Sequence, residues 1–464
     1  MLRICFTLAA VAAAGASAGF SGHAAVRQAA GSAAVVITNA TVIDGTGAPP
    51  RRGQSVLLKG NRIAAIGADV RTPADARLID GTGKFVVPGL IDTHAHLDFP
   101  MVFQLSPAER DAVIAHVPKA LLYNGVTTVL NLSAQEEWIW QQRAAQRAGR
   151  LLAPRIYAMG RSFTPVKGWG SRHGGALASI EDARAQARRY IAEGTDGFKI
   201  VIEDGLGGSG QYAVISDGML KAIVDEAHRA KVPMYVHAIN IGEFRVAARI
   251  NPRAIVHGLE DPLPDNDPLL KTLVDHRIYV VPTISLFEAF NRFDGHPGLF
   301  DDPVLKASLP DFLWQNMQRP DYMAVEKKRF AEVARMDAYV WAEKALPIFK
   351  ANTLKMHRAG VKIAVGTDAG GTVGYNFQGY NTPRELELLV ESGLTPMEAL
   401  VAATRTGAEV IGVQETLGTI EAGKLADLLI LSADPTTDIR NVRHIDTVVQ
   451  NGVVYPRQAF AYSK

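Results

Sequence analysis

Eight short apolar runs recur between residues 86 and 368, and the stretches between several of them place their apolar residues at helical spacing. The runs are VVPGLIDTHAHL (86–97), GVTTVLNLS (125–133), RIYAMG (155–160), GFKIVIE (197–203), PMYVHAI (233–239), AIVHGL (254–259), IYVVPTIS (278–285) and KIAVGTD (362–368). EEWIWQQRAAQRAG (136–149), IEDARAQARRYIAEG (180–194) and DGMLKAIVDEAHRA (217–230) read as amphipathic helices. Eight strands alternating with helices predict a (β/α)8 barrel over residues 88–416, with one enlarged connection after the seventh strand. In such a barrel the chemistry sits at the carboxyl ends of the strands.

The two ends of the chain have a different texture. VVITNATVIDGTG (35–47), QSVLLKGNRIAAIG (54–67) and ARLIDGTGKFVVPG (76–89) are β-branched runs separated by Gly, Asn and Asp turns, and residues 418–458 repeat the pattern down to a QNG turn. The economical reading is a small β-sandwich assembled from 35–87 and 417–458, with the barrel inserted between its halves. A chain of 464 residues has room for both units. Its 49 basic and 47 acidic residues are spread along the chain, which argues against nucleic acid as partner and for a small-molecule substrate.

Residues 1–24 read as a signal peptide. MLR is a basic start, ICFTLAAVAAAGA an apolar stretch too short to span a bilayer, and Ala16, Ser17 and Ala18 fit a cleavage site, as does GHA ending at Ala24. The expectation is a periplasmic or secreted enzyme with no membrane attachment once the leader is removed. Cys5, the single cysteine, would leave with the leader, and with it any thiol or disulfide chemistry.

Polar residues at the strand ends are then the ones to question. His94 and His96 end the first run, Lys199 lies in the fourth, His237 and His257 end the fifth and sixth, and Asp368 ends the eighth. A histidine at a strand end is an ordinary capping or surface residue when it stands alone. Six such groups on one rim make a coherent set, because side chains at i and i+2 of a strand share a side and imidazole with carboxylate suits zinc and its first-row neighbours.

VVPGLIDTHAHL, DGFKI, YVHAI, AIVHG, AVGTDAG, RELELLVESGLTPMEALVAAT and GTIEAGKLADLLIL together resemble the amidohydrolase superfamily, within it the prolidase and imidazolonepropionase-like branch. The resemblance implies two divalent ions, zinc by expectation. His94, His96 and Asp368 would hold one and His237 and His257 the second, with Lys199, carboxylated to a carbamate, bridging them. Unmodified, Lys199 is a rim lysine in a salt bridge beside a mononuclear site. The implied chemistry is attack of a metal-activated hydroxide on a carbonyl, with Asp368 as proton carrier; a helix N-cap is its plainer role.

His173, in GWGSRHGG, is either a carbonyl-polarising or substrate-binding group or a flexible surface residue. Tyr235, two residues before His237, either supports the pocket floor against substrate or fills the barrel. GYNFQGYNTPREL is expected to form a wall of the site, although Arg384 stands where the resemblance implies a histidine before EL. The connection Phe287 to Leu346 is rich in aromatic residues, which suits a lid over the site or the interface of a homo-oligomer equally.

These readings converge on a metal-dependent hydrolase of an amide or peptide C–N bond, in a dipeptide or an N-acyl amino acid. A cyclic amide or lactone hydrolase is the alternative, and a non-catalytic periplasmic binding protein a more distant one. A deaminase fits less well, because Asn240 and Glu243 follow His237 where those relatives carry a closer glutamate.

Overall fold

Five short strands come first in the computed structural model, which describes residues 34–462 apart from 100, 101, 103, 174, 292–297, 335–337 and 371–374. The expected signal peptide therefore lies outside the described residues. The strands are β1 (Val35–Val42), β2 (Arg51–Lys59), β3 (Arg62–Gly67), β4 (Arg77–Asp80) and β5 (Phe85–Pro88). β1 pairs antiparallel with β2 and parallel with both β4 and β5.

Gly89 divides this sheet from the barrel inside one apolar run. A Cβ at Gly89 would fall 2.0 Å from Thr127 Oγ1, so only glycine lets the chain cross there. The barrel strands follow: β6 (Leu90–Ala95), β7 (Val126–Asn131), β8 (Arg155–Ala158), β9 (Phe198–Val201), β10 (Met234–His237), β11 (Ala254–Val256) and β12 (Tyr279–Val281). β6, β7 and β8 form one parallel ladder and β9 to β12 another. Phe163 bridges Ile200 in parallel, and Asp196 N donates to Ala158 O at 3.0 Å, which joins the two ladders. The eighth stave is the extended segment 362–369. Ala364 N donates to Val280 O on the β12 side at 3.0 Å, and on the β6 side Thr93 N donates to Val365 O and His96 N to Ala369 O, at 3.0 and 2.8 Å. The ring is closed, and the fold is a (β/α)8 barrel with a β domain.

Helices cover the outside: α1 (Pro107–Tyr123), α2 (Glu136–Arg147), α3 (Ile180–Ala192), α4 (Asp217–Ala230), α5 (Ile241–Arg249) and α6 (Pro268–Asp275). α4 shows the logic common to them. Ser216 caps its first turn by accepting from Met219 N, and Leu220, Ile223 and Ala227, spaced three and four apart, are buried against the barrel.

After β12 comes the enlarged connection, α7 (Ile284–Asn291), α8 (Pro303–Ser308), α9 (Asp311–Met317), α10 (Pro320–Ala334) and the start of α11 (Ala338–Arg358). Its aromatic residues turn inward. Phe287, Phe290, Trp314 and Tyr322 are buried with Phe349, Tyr375, Phe377 and Tyr380 in a core of their own. The side chains of Phe293, Phe330 and Tyr339 lie outside the described residues. Helices α12 (Asn381–Glu391), α13 (Pro396–Ala402) and α14 (Arg405–Ile411) complete the barrel's coat. Among the described residues no helix is long and apolar enough to cross a membrane.

The last strands, β13 (Leu428–Leu431), β14 (Ile445–Gln450) and β15 (Val453–Pro456), return to the first sheet, where β13 lies antiparallel against β5. The order β15-β14-β13-β5-β1-β2-β3, with β4 beside β1, makes one continuous sheet from both chain ends. Arg62 in β3 bridges Leu425 just before β13, so the sheet curls back round the apolar core it encloses.

Candidate metal centre

The barrel strands bring the expected ligands together. His94 Nε2 lies 2.9 Å and His96 Nε2 2.7 Å from the same atom, Asp368 Oδ1. The His257 ring sits 4.8 Å from that of His94, and ligand atoms of His94, His257 and Asp368 all fall within 4.8 Å of one another. The approach of the eighth stave depends on Gly366, where a Cβ would meet Val281 Cγ1 at 2.5 Å and His94 Cβ at 2.8 Å. Lys199 Nζ joins the group from β9, 3.2 Å from His94 Nε2.

A hydrogen bond fixes which nitrogen the His96 ring presents. Ser133 O lies 2.9 Å from His96 Nδ1, and because a carbonyl only accepts, Nδ1 carries the proton. The His96 lone pair is then on Nε2, facing a carboxylate oxygen at 2.7 Å. Such a pairing needs a positive charge between the two atoms, either a proton or a metal ion. His257 Nδ1 meets Thr283 Oγ1 at 3.0 Å, which leaves Nε2 buried and without a hydrogen-bond partner. Imidazole nitrogens oriented by an outer hydrogen bond and converging on a carboxylate are the donor set of a divalent cation, so these residues fit the metal their chemistry suggests.

The backbone is strained where the ligands emerge. His257, Thr283 and Asp368 have φ of 87°, 47° and 52°, the left-handed region that a β-branched threonine rarely enters.

Burial dominates the titration of the cluster. It lowers Lys199 to about 7 against the pull of Asp368 and Glu203. His94 is pushed down to about 3 by burial and by the Lys199 charge, and burial holds His237 and His257 well below the usual histidine range. Burial disfavours charge on Asp368 too, but His94 and His96 outweigh it and hold the carboxyl well below its ordinary value. His96 moves upward, because the Asp368 carboxylate overcomes burial there.

His237 lies beside His257, its expected partner. Its ring lies 4.1 Å from that of His257, but its Nε2 is hydrogen bonded to Glu203, a buried residue that sequence reasoning did not single out. Period two could have found it, since Lys199, Val201 and Glu203 stand at alternate positions of the fourth run. Asp92 was also passed over. Fully buried, it accepts from Thr367 Oγ1 and Thr382 Oγ1, both at 2.8 Å, and from His94 N at 3.1 Å, clamping β6 to the eighth stave.

Tyr235, the stretch after the eighth stave and His173 fare differently. Tyr235 is fully buried and its hydroxyl donates to Val410 O at 2.8 Å, so it is used in packing below the site, and the reading as a substrate contact gives way. The stretch from Tyr375 to Asn381 is buried and lies against the ligands. Asn376 Nδ2 donates to Asp368 O at 2.8 Å and Gln378 Nε2 to His96 O at 3.1 Å, so it braces the backbone of two ligands. His173 lies in a short 3-10 turn, Ser171–His173, and its side chain is outside the described residues. From the neighbouring loop Trp169 does reach the site, its ring 6.4 Å from that of His237, as Phe287 does at 6.4 Å from His257.

Comparison with known proteins places the chain among relatives of the same fold. Residues 85–455 match the amidohydrolase family. The chain is 24% identical over 435 residues to an imidazolonepropionase of Geobacillus sp. (strain WCH70), covering 86% of this chain and 89% of that protein. Among solved structures, a putative prolidase from Bifidobacterium longum aligns with a TM-score of 0.70 and 28% identity over 91% of this chain and 94% of that one. A Xaa-Pro dipeptidase with bound methionine in its active site aligns with a TM-score of 0.73 and 23% identity, over 91% of this chain and all of the other.

Proposed function

The chain belongs to the amidohydrolase family and is a hydrolytic enzyme acting on carbon–nitrogen bonds, and from that premise we propose that it is metal-dependent and cleaves the amide or peptide bond of a dipeptide or an N-acyl amino acid. The observation that carries the reading is the meeting of His94, His96 and Asp368 Oδ1 beside the unpartnered Nε2 of His257. These four residues would hold a divalent cation, with zinc the best match to their donors. Bound there, the ion supplies Lewis acidity, polarising a substrate carbonyl and raising the acidity of a water.

The chain's own residues do the rest. Ser133 O holds His96 in the tautomer that presents Nε2, and Thr283 Oγ1 orients the His257 ring so that its Nε2 faces the site. Asp368 engages both histidines through Oδ1; its Oδ2 takes the proton of the attacking water and delivers it to the departing nitrogen. Trp169 and Phe287 flank His237 and His257 with apolar surface and keep bulk water from the reacting bond. Burial brings the Lys199 amine to about 7, so an uncharged fraction exists near neutral pH, the form a carbamate requires.

A second reading, hydrolysis of a cyclic amide, draws on the likeness to an imidazolonepropionase over most of both chains. One screen separates the readings. The zinc-loaded protein, its chelated form and the reloaded form are assayed on dipeptides, N-acyl amino acids, cyclic amides and lactones. The expected result is turnover of the first two classes, lost on chelation and restored by metal. Turnover confined to cyclic substrates moves the assignment to the second reading; a protein that binds no metal and turns nothing over sinks both.

A further inference from the structure

We propose that Glu203 is a metal ligand in its own right, forming with His237 a second cation position beside the one at Asp368. The inference rests on the metallohydrolase reading above. It starts from a repeated pattern: at Asp368 a carboxylate oxygen faces imidazole Nε2 atoms, and at Glu203 a carboxylate oxygen, Oε2, faces the Nε2 of His237 in the same way.

The other oxygen of Glu203 is the second observation. Oε1 is buried and has no hydrogen-bond partner, on a residue only 2% exposed. A carboxylate in that state is costly unless a proton or a cation meets it. Lys199, whose charge acts on Glu203, places its Nζ 3.2 Å from His94 Nε2, and no hydrogen bond joins it to Glu203 Oε1. His257 stands between the two, its ring 4.8 Å from that of His94 and 4.1 Å from that of His237. The fourth barrel strand and the segment just after it thus bring two groups to the centre, Lys199 and, four residues on, Glu203, and the second belongs to the His237 side.

Glu203→Gln tests this cleanly, because glutamine keeps a hydrogen bond to His237 yet is a poor ligand for zinc or cobalt. Wild type and variant are stripped by chelation and titrated with Zn2+ by calorimetry in bicarbonate buffer, so that any carbamate on Lys199 can form in both. Bound metal is counted by elemental analysis, and the Co2+ forms are compared by visible spectroscopy. Wild type should take up about two equivalents and the variant about one, with the absorption of one cobalt centre missing. A variant that binds as much metal as wild type at the same affinity overturns the proposal, as does a wild type that binds a single equivalent. A wild type that binds none overturns the metallohydrolase reading instead. Thermal melts of the stripped proteins establish that the variant is folded. Should it not be, Glu203→Asp takes its place: a weakened second equivalent supports the assignment, and wild-type affinity defeats it.

Discussion

Thr283 governs His257 through a single hydrogen bond and does so from a backbone conformation, φ 47°, that threonine seldom adopts. Persistence of that strain in the fold fits a residue whose hydroxyl orients a ligand's ring. Thr283→Val keeps the shape and removes the hydroxyl, so metal affinity should fall by about 10–100-fold, the usual cost of losing an outer partner. Competition with a chromogenic chelator measures it; unchanged affinity would show that the imidazole is oriented by packing alone. The same residue marks the limit of what the sequence discloses. His94, His96, Lys199, His237, His257 and Asp368 are legible because chemistry-bearing side chains fall at strand ends. Thr283 and Ser133 are not, since their roles consist of hydrogen bonds to rings 26 and 37 residues away. Asp92 reaches Thr367 across 275 residues, a contact no local pattern announces.

The helix α7 begins directly above the site and is held there by another element. Glu385 of α12 accepts from Ile284 N at 2.8 Å and from Ser285 N at 2.6 Å, satisfying two of the helix's free N–H groups. Burial raises Glu385 to about 7 in spite of these bonds. A carboxyl raised on folding binds its proton more tightly in the native state, so its contribution is fully present below the ordinary glutamate range and is lost as pH climbs to about 7. Glu385→Gln cannot titrate. Thermal melts between pH 5 and pH 8 should therefore lose less stability in the variant than in wild type, and parallel slopes would refute the assignment. At this scale the sequence is a good guide, because periodicity is local: α2, α3 and α4 fall where their apolar spacing predicts. It is a poorer guide to the connection after β12, whose aromatic residues suit a lid and an oligomer interface alike. The structure packs the described ones mostly into a core with Phe349 and Phe377, and only contacts far apart in the chain could reveal that.

At the scale of the molecule, β5 and β13 join the two ends of the chain in one sheet, and the apolar core of that sheet draws residues from both. A chain cut after residue 416 would leave β5 without its partner on that side and Val86 and Val56 without much of their cover. Such a truncation should be insoluble or melt well below the full chain, even though every candidate ligand is retained; a stable, metal-binding fragment would show the barrel to be independent of the β domain. The texture of the two ends was enough to pair them, because β-branched runs between Gly and Asn turns are recognisable without a partner. Which strand meets which was not, since register is set by side chains in the other half. The join also has a consequence for birth on the ribosome. Strand β5 is complete at Pro88 and β13 starts at Leu428, so at bacterial and eukaryotic elongation rates the first half of the sheet waits roughly 20–70 s for the second to be made. Through that interval an apolar strand edge is bare on the nascent chain and open to pairing with a neighbour.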